Sequence, residues 1–83
     1  MSEIRVLGVL VSEKSQAAIT VQEVLTKYGC NIRTRLGLNE LDREQCAGCG
    51  LIILELMGDL NESLRLENDL WAIPGVKVQK MIF

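Results

Sequence analysis

An α+β sandwich, with two helices on one face of a four-stranded antiparallel sheet, is the fold class this 83-residue sequence predicts, and two observations carry it. The hydrophobic patterning runs β-α-β-β-α-β, and the first and third strands are apolar on both faces while the second and fourth are half polar. A strand shielded on both sides belongs inside a sheet, and a half-polar one belongs at its edge. In the ferredoxin-like split βαβ arrangement, with strand order 4-1-3-2, the first and third strands are the inner pair, so burial pattern and element order agree.

The stretch Gly50-Leu-Ile-Ile-Leu-Glu-Leu-Met-Gly58 is apolar between its glycines except at Glu55, which makes it a central strand. Ile4 to Val11 is the other inner strand, apolar apart from Arg5 and Gly8. Ser12 or Ser15 caps the helix that follows. Its stripe is Ala17, Ala18, Val21, Val24, Leu25 and Tyr28, with Ile19 off it and Gly29 as the stop just past its C-terminal cap. Ile32 to Leu38 alternates Ile32, Thr34, Leu36 and Leu38 against Arg33, Arg35 and Gly37, the pattern of a half-exposed edge. Asn39 to Cys49 is a polar connection, long for a hairpin. Asn61 caps a second helix that runs to Ala72, and Pro74-Gly75 ends it. Val76 to Phe83 is the last strand, marked as an edge by Lys77, Gln79 and Lys80. No linker or low-complexity segment interrupts the series, which predicts a single domain over residues 1–83.

Composition excludes several function classes. A chain of this length lies near the size where one core is marginal and oligomerisation supplies the missing burial. A net charge of −2 without a long basic cluster argues against a phosphate-dominated nucleic-acid surface, and the third strand lacks the aromatics on which an RNA-binding sheet stacks bases. There is no histidine, which removes the commonest general base and the commonest nitrogen ligand for metals. Met1-Ser-Glu-Ile-Arg5 has no secretory pattern and no apolar run approaches a membrane span, so the sequence predicts a cytoplasmic chain with reduced thiols. An enzyme would have to use Cys46 or Cys49 without a histidine base or a fixed acid pair, so a non-catalytic role is predicted.

Topology brings the loop after strand one, the cysteine loop and the Pro74-Gly75 turn to one end of the sheet. The N-terminus of the first helix points there with its free N–H groups, making Ser12, Lys14 and Ser15 the effector-binding candidates. Cys46-Ala-Gly-Cys49 has the form of half a zinc knuckle, and a tetrahedral site wants four ligands. The remainder would come from Asp42 or Glu44, or from the same loop of a symmetry mate, giving zinc or iron shared between subunits. A reversible Cys46–Cys49 disulfide is a second reading, and two inert surface thiols a third. Cys30 begins strand two at the far end, roughly 26 Å away over eight residues of about 3.3 Å each. One metal cannot hold it together with Cys46 and Cys49 of the same subunit.

Two features point to an assembly. On the second helix Ser63, Leu66, Leu70 and Ile73 make one stripe, while Leu60, Leu64 and Trp71 fall on another, with Glu67 between them. The inner strands offer apolar residues to both faces, Leu51, Ile53 and Met57 alternating with Ile52, Leu54 and Leu56, yet two helices cover only one. Leu64, Trp71, Ile53 and Met57 are therefore the predicted interface residues of a homo-oligomer, dimer or tetramer. Glu55 is placed to pair with Arg33 or Arg35.

The run Arg35-Leu-Gly37, the segment Gly50-Leu-Ile-Ile53 and Leu70-x-x-Ile73-Pro-Gly75-Val76-Lys77-Val78 resemble the small iron-only hydrogenase system regulators. That family is similar in fold to ACT domains and to the C-terminal domain of the nickel-responsive repressor. The resemblance implies ligand-responsive regulation through a dimer or tetramer. It departs in two places: the Asp-x-Pro-Gly type effector loop of ACT domains is replaced by Ser12-Glu13-Lys14-Ser15, and the histidine ligands and DNA-binding segment of the nickel repressor have no counterpart. A transcriptional role would need a separate DNA-binding partner, and a metabolic one an enzyme partner. The expectation is an oligomeric regulatory or sensory domain, with thiol-redox or metal handling by Cys46 and Cys49 as the alternative.

Overall fold

The computed structural model describes residues 3–12, 15–38 and 50–83. Its elements are β1 (Arg5–Val11), α1 (Ser15–Lys27), a 3-10 turn at Gly29–Asn31, β2 (Ile32–Leu38), β3 (Gly50–Leu56), α2 (Leu60–Trp71) and β4 (Val76–Ile82). The four strands form one sheet in the order β2-β3-β1-β4, with every neighbouring pair antiparallel. This is the predicted ferredoxin-like order read from its other edge.

The core lies between the sheet and the helices. Leu7, Val9 and Val11 of β1, Leu54 and Leu56 of β3, and Val76 and Val78 of β4 turn one face inward. Every second residue of a strand shares a face, so this set is what the alternation dictates. From α1 come Ala17, Val21, Leu25 and, just beyond its end, Tyr28; from α2 come Leu66 and Leu70, with Ile73 following. Ala18, expected on the α1 stripe, faces out instead, and Ile19 is exposed as its position off the stripe requires.

Helix ends match the sequence reading at α1 and differ at α2. The first helix ends at Lys27, with Gly29 following as the predicted stop, and among the described residues only Gly58 (φ 85°) and Gly75 (φ 86°) have positive φ. The chain tightens into the 3-10 turn, where Asn31 N donates to Tyr28 O at 2.8 Å. The cap of α2 is Asp59 rather than Asn61, its carboxylate accepting from Asn61 N at 3.1 Å. Gly58 turns the chain just ahead of Asp59, which starts the helix earlier.

The β2 strand holds the largest departure. Its pairing with β3 shifts register between Ile32 and Thr34, so Arg33 is an extra residue. Ile32 therefore lies on the helix side opposite Leu56, whereas Thr34, Leu36 and Leu38 lie opposite Glu55, Ile53 and Leu51 on the other face. The simple alternation that puts Ile32 with Leu36 does not hold. The bulge moves two leucines onto the face that no helix covers.

Candidate functional site

The end of the sheet singled out by sequence is stitched together by one carbonyl. Ser12 donates to Gly75 O from its backbone N–H and from its hydroxyl, each at 2.9 Å. Gly75 is required there: besides its positive φ, an added Cβ would lie 2.7 Å from the Ser12 hydroxyl. Gly50 pairs with Val11, so the residue after the cysteine loop sits beside Ser12, and α1 begins at Ser15 on the same side. A cavity of about 260 Å³ opens at this end between Leu10, Ser12, Gly75, Val76 and Lys77.

Of the predicted effector residues, Ser12 lines this cavity, with its hydroxyl proton committed to Gly75. Ser15 contributes the first turn of α1, and Lys14 lies outside the described residues, as do Cys46 and Cys49. Cys30 is exposed in the 3-10 turn at the opposite end, as expected. There the Asn31 carbonyl accepts from Met57 N at 2.8 Å, and its side chain donates to Met57 O at 3.3 Å. Among the described residues no group of three or more Cys, Asp and Glu side chains is arranged to hold a metal.

The uncovered sheet face is built in three cross-strand rows. Thr34, Glu55, Val6 and Met81 form the first; Leu36, Ile53, Gly8 and Gln79 the second; Leu38, Leu51, Leu10 and Lys77 the third. Leucines, isoleucine and valine fill most of it, Leu36 and Leu38 carrying the apolar surface to the β2 edge, and polar side chains stand at Thr34, Glu55, Gln79 and Lys77. Leu36 is 52% exposed and Met81 55%. An added Cβ at Gly8 would find only ordinary contacts at 3.9 Å, so this chain alone does not demand a glycine there. Glu55 accepts a hydrogen bond from the Thr34 hydroxyl at 3.0 Å, and Arg35 reaches Gln22 of α1, so neither predicted Glu55–arginine pair forms.

The predicted interface residues occupy separate surfaces. Ile53 is on the open sheet face, Leu64 and Trp71 are on the outer side of α2, and Met57 follows the end of β3. Trp71 is 50% exposed. Leu10, Leu36, Leu38 and Met81 belong to the same open face as Ile53, and sequence does not single them out. The two leucines of β2 need the bulge to get there.

The opposite end holds charges to which sequence assigns no role. The Arg5 guanidinium lies 2.9 Å from Glu3 and 3.6 Å from Glu67, and Lys80 lies 3.2 Å from the second oxygen of Glu67. Arg5 and Lys80 come from neighbouring strands on the helix side, under a glutamate that α2 buries. A carboxylate this enclosed needs both cations.

No protein-family model and no curated protein matches this chain. Solved structures do. Across 99% of its length the chain is similar to 99% of the uncharacterized protein TM1266 from Thermotoga maritima, with a TM-score of 0.84 and 23% identity. Across 96% of its length it is similar to the whole ACT domain from GTP pyrophosphokinase of Chlorobium tepidum, with a TM-score of 0.71 and 19% identity. The fold is ACT-like. A formyltetrahydrofolate deformylase from Pseudomonas putida KT2440 carries a similar unit in 28% of its chain, at a TM-score of 0.56 and 14% identity. The end of β1 and the start of β3 lie side by side at one end of the sheet, where Val11 pairs with Gly50. No helix among the described residues is long and apolar enough to cross a membrane.

Proposed function

We propose that this chain is a non-catalytic regulatory domain, assembled from identical copies through its open sheet face and responsive to a small effector at the end that carries Ser12, Lys14, Ser15 and the Cys46–Cys49 loop. The observation that carries the reading is the apolar centre of that face, uncovered by either helix. Four strands about 4.8 Å apart, with seven residues each rising about 3.3 Å, span roughly 440 Å² before side chains are counted. That area includes Thr34, Glu55, Gln79 and Lys77, and its apolar part, contiguous from Leu36 and Leu38 through Ile53 and Leu51 to Leu10, is the kind of patch that serves as an interaction surface. A second copy is the economical partner because one apolar surface complements itself across a two-fold axis.

The ACT-like fold, shared with a domain of GTP pyrophosphokinase, supports the regulatory reading. The short motifs around Arg35, Gly50 and Ile73 support a place beside iron-only hydrogenase system regulators. A chain of net charge −2 offers nucleic acid little basic surface, so its output passes to a separate DNA-binding or enzyme partner. The Cys46–Cys49 loop adjoins Gly50 at the effector end, where zinc or iron would tie two copies together.

Light scattering tests the assembly. The wild-type chain is expected at a multiple of 9.2 kDa, and Ile53→Lys, which places a charge at the centre of the face, at the single-chain mass. A wild-type protein that runs as one chain at high concentration refutes the reading.

A further inference from the structure

The end of the molecule opposite the proposed effector end contains a larger cavity, about 570 Å³, between the start of β1, the end of β3 and the first turn of α2. Such a volume lies within the usual range of small-molecule sites, about 300–1,000 Å³. Its polar lining includes Arg5, Arg33 and the buried Ser63, and its apolar lining includes Ile4, Met57 and Leu60. Those three apolar side chains are 46%, 45% and 48% exposed, so the cavity offers unused hydrophobic surface.

Arg5 is the centre of the cavity's chemistry. Its side chain is 12% exposed, yet its Nε–H is buried without a hydrogen-bond partner. Nη1 is 3.6 Å from Glu67, beyond hydrogen-bond distance, and the facing Glu67 oxygen is likewise unpartnered. Among the described residues, the one hydrogen bond at this guanidinium is from Nη2 to Glu3, at 2.9 Å. Glu3 lies outside any strand, and its side chain is 40% exposed. A carboxylate thus already sits on Arg5, from a half-exposed side chain outside any strand. A guanidinium receives a carboxylate best through two parallel N–H donors, and Nε with Nη2 is such a pair.

We propose that this cavity binds a small organic carboxylate with a short, branched apolar body, the ligand's carboxylate replacing Glu3 on Arg5 and its body covering Ile4, Met57 and Leu60. The charges balance. With Glu3 displaced, Arg5 and Lys80 against Glu67 leave one positive charge, while Arg33 and Glu55 cancel, so a single carboxylate neutralises the site. Ser63 and the first turn of α2 add donors beside it. Glu3 is then an internal competitor, and binding displaces its side chain from Arg5. The proposal is independent of the effector end described above, because it uses no residue of that end.

Nitrogen-15 NMR titration of the intact chain tests it, with isovalerate, 4-methyl-2-oxopentanoate and L-leucine as probes that share the body and the carboxylate but differ in source chemistry. Saturable shifts are expected at the Arg5 Nε–H and at the Leu60 and Ser63 amides, and none there with isoamyl alcohol. The best of the three probes identifies the source. Glu3→Gln is expected to tighten binding, and Arg33→Gln to weaken it, each by about threefold to tenfold, the scale of one charge-assisted bond. Both substitutions are at exposed side chains, so folding does not confuse the result. The absence of saturation with all three probes to about 50 mM, far above the millimolar dissociation constants of weak ligands, overturns the proposal. So does unchanged affinity in Glu3→Gln, or a response centred on Ser12 and Gly75 rather than on Arg5.

Discussion

Tyr28 links the two helices through one hydrogen bond, its phenol donating to Asp69 at 2.7 Å, while Lys27 lies 3.6 Å from the same carboxylate and 5.2 Å from the ring centre. The bond to Asp69 holds the phenol in its protonated form, burial and the carboxylate's charge act the same way, and Lys27 opposes them, so the pKa is raised above its ordinary value of 10.0. The unfolded chain gives up this proton first. The pair's contribution is therefore complete below pH about 10 and is lost as pH rises through the folded value. Tyr28 is the chain's one tyrosine, so phenolate absorbance reads it alone. The native midpoint is expected above that of the denatured chain, and Tyr28→Phe is expected to flatten the alkaline fall in stability; coincident midpoints refute the bond. Sequence places Tyr28 correctly on the core stripe, but its partner is 41 positions away and no local pattern announces it. Glu67 is obscure for the same reason, since Arg5 and Lys80 reach it only through the register of β1 with β4.

At the scale of elements, strands and helices are legible because each buries one periodic face, and a periodic face survives in the sequence whatever it packs against. Irregularities do not. Nothing in Ile32-Arg-Thr34 distinguishes a bulged strand from a regular one, since both readings give an edge with alternating polarity. The cap of α2 is ambiguous in sequence because Asp59 and Asn61 are about equally good caps by residue type. Geometry separates them: Asp59 accepts from Asn61 N, and Gly58 turns the chain immediately before it. Asp59→Ala is expected to lower unfolding free energy by about 1 kcal/mol, and Asn61→Ala by only a few tenths, in matched urea denaturation. Equal losses would mean that the helix starts where sequence alone suggests.

At the scale of the whole molecule, the inner strands predict a sheet with two apolar faces and the helices cover only one, so the open face is legible in the sequence even though only some of its residues are. Ile53 is found because β3 is regular, while Leu36 and Leu38 are hidden by the bulge, and the cavity at Arg5 is hidden because it joins three separate elements. This architecture has a thermodynamic consequence. A domain of this length buries only about 60% of the surface that its unfolded chain exposes, and in the proposed assembly the leucines of the open face add to stability further when another copy covers them. Stability in such a system rises with protein concentration, because association acts on the folded state alone. The unfolding midpoint of the wild-type chain is therefore expected to climb steadily over a hundredfold concentration range, while that of Ile53→Lys stays fixed near the wild type's dilute limit. Ile53 is the informative position because it lies between Leu36 and Gly8 in the middle row, where a covering copy excludes water, whereas Gln79 at the end of that row stays at the wet margin. If the wild-type midpoint is also independent of concentration, the apolar face contributes nothing through self-association and the proposed assembly is refuted.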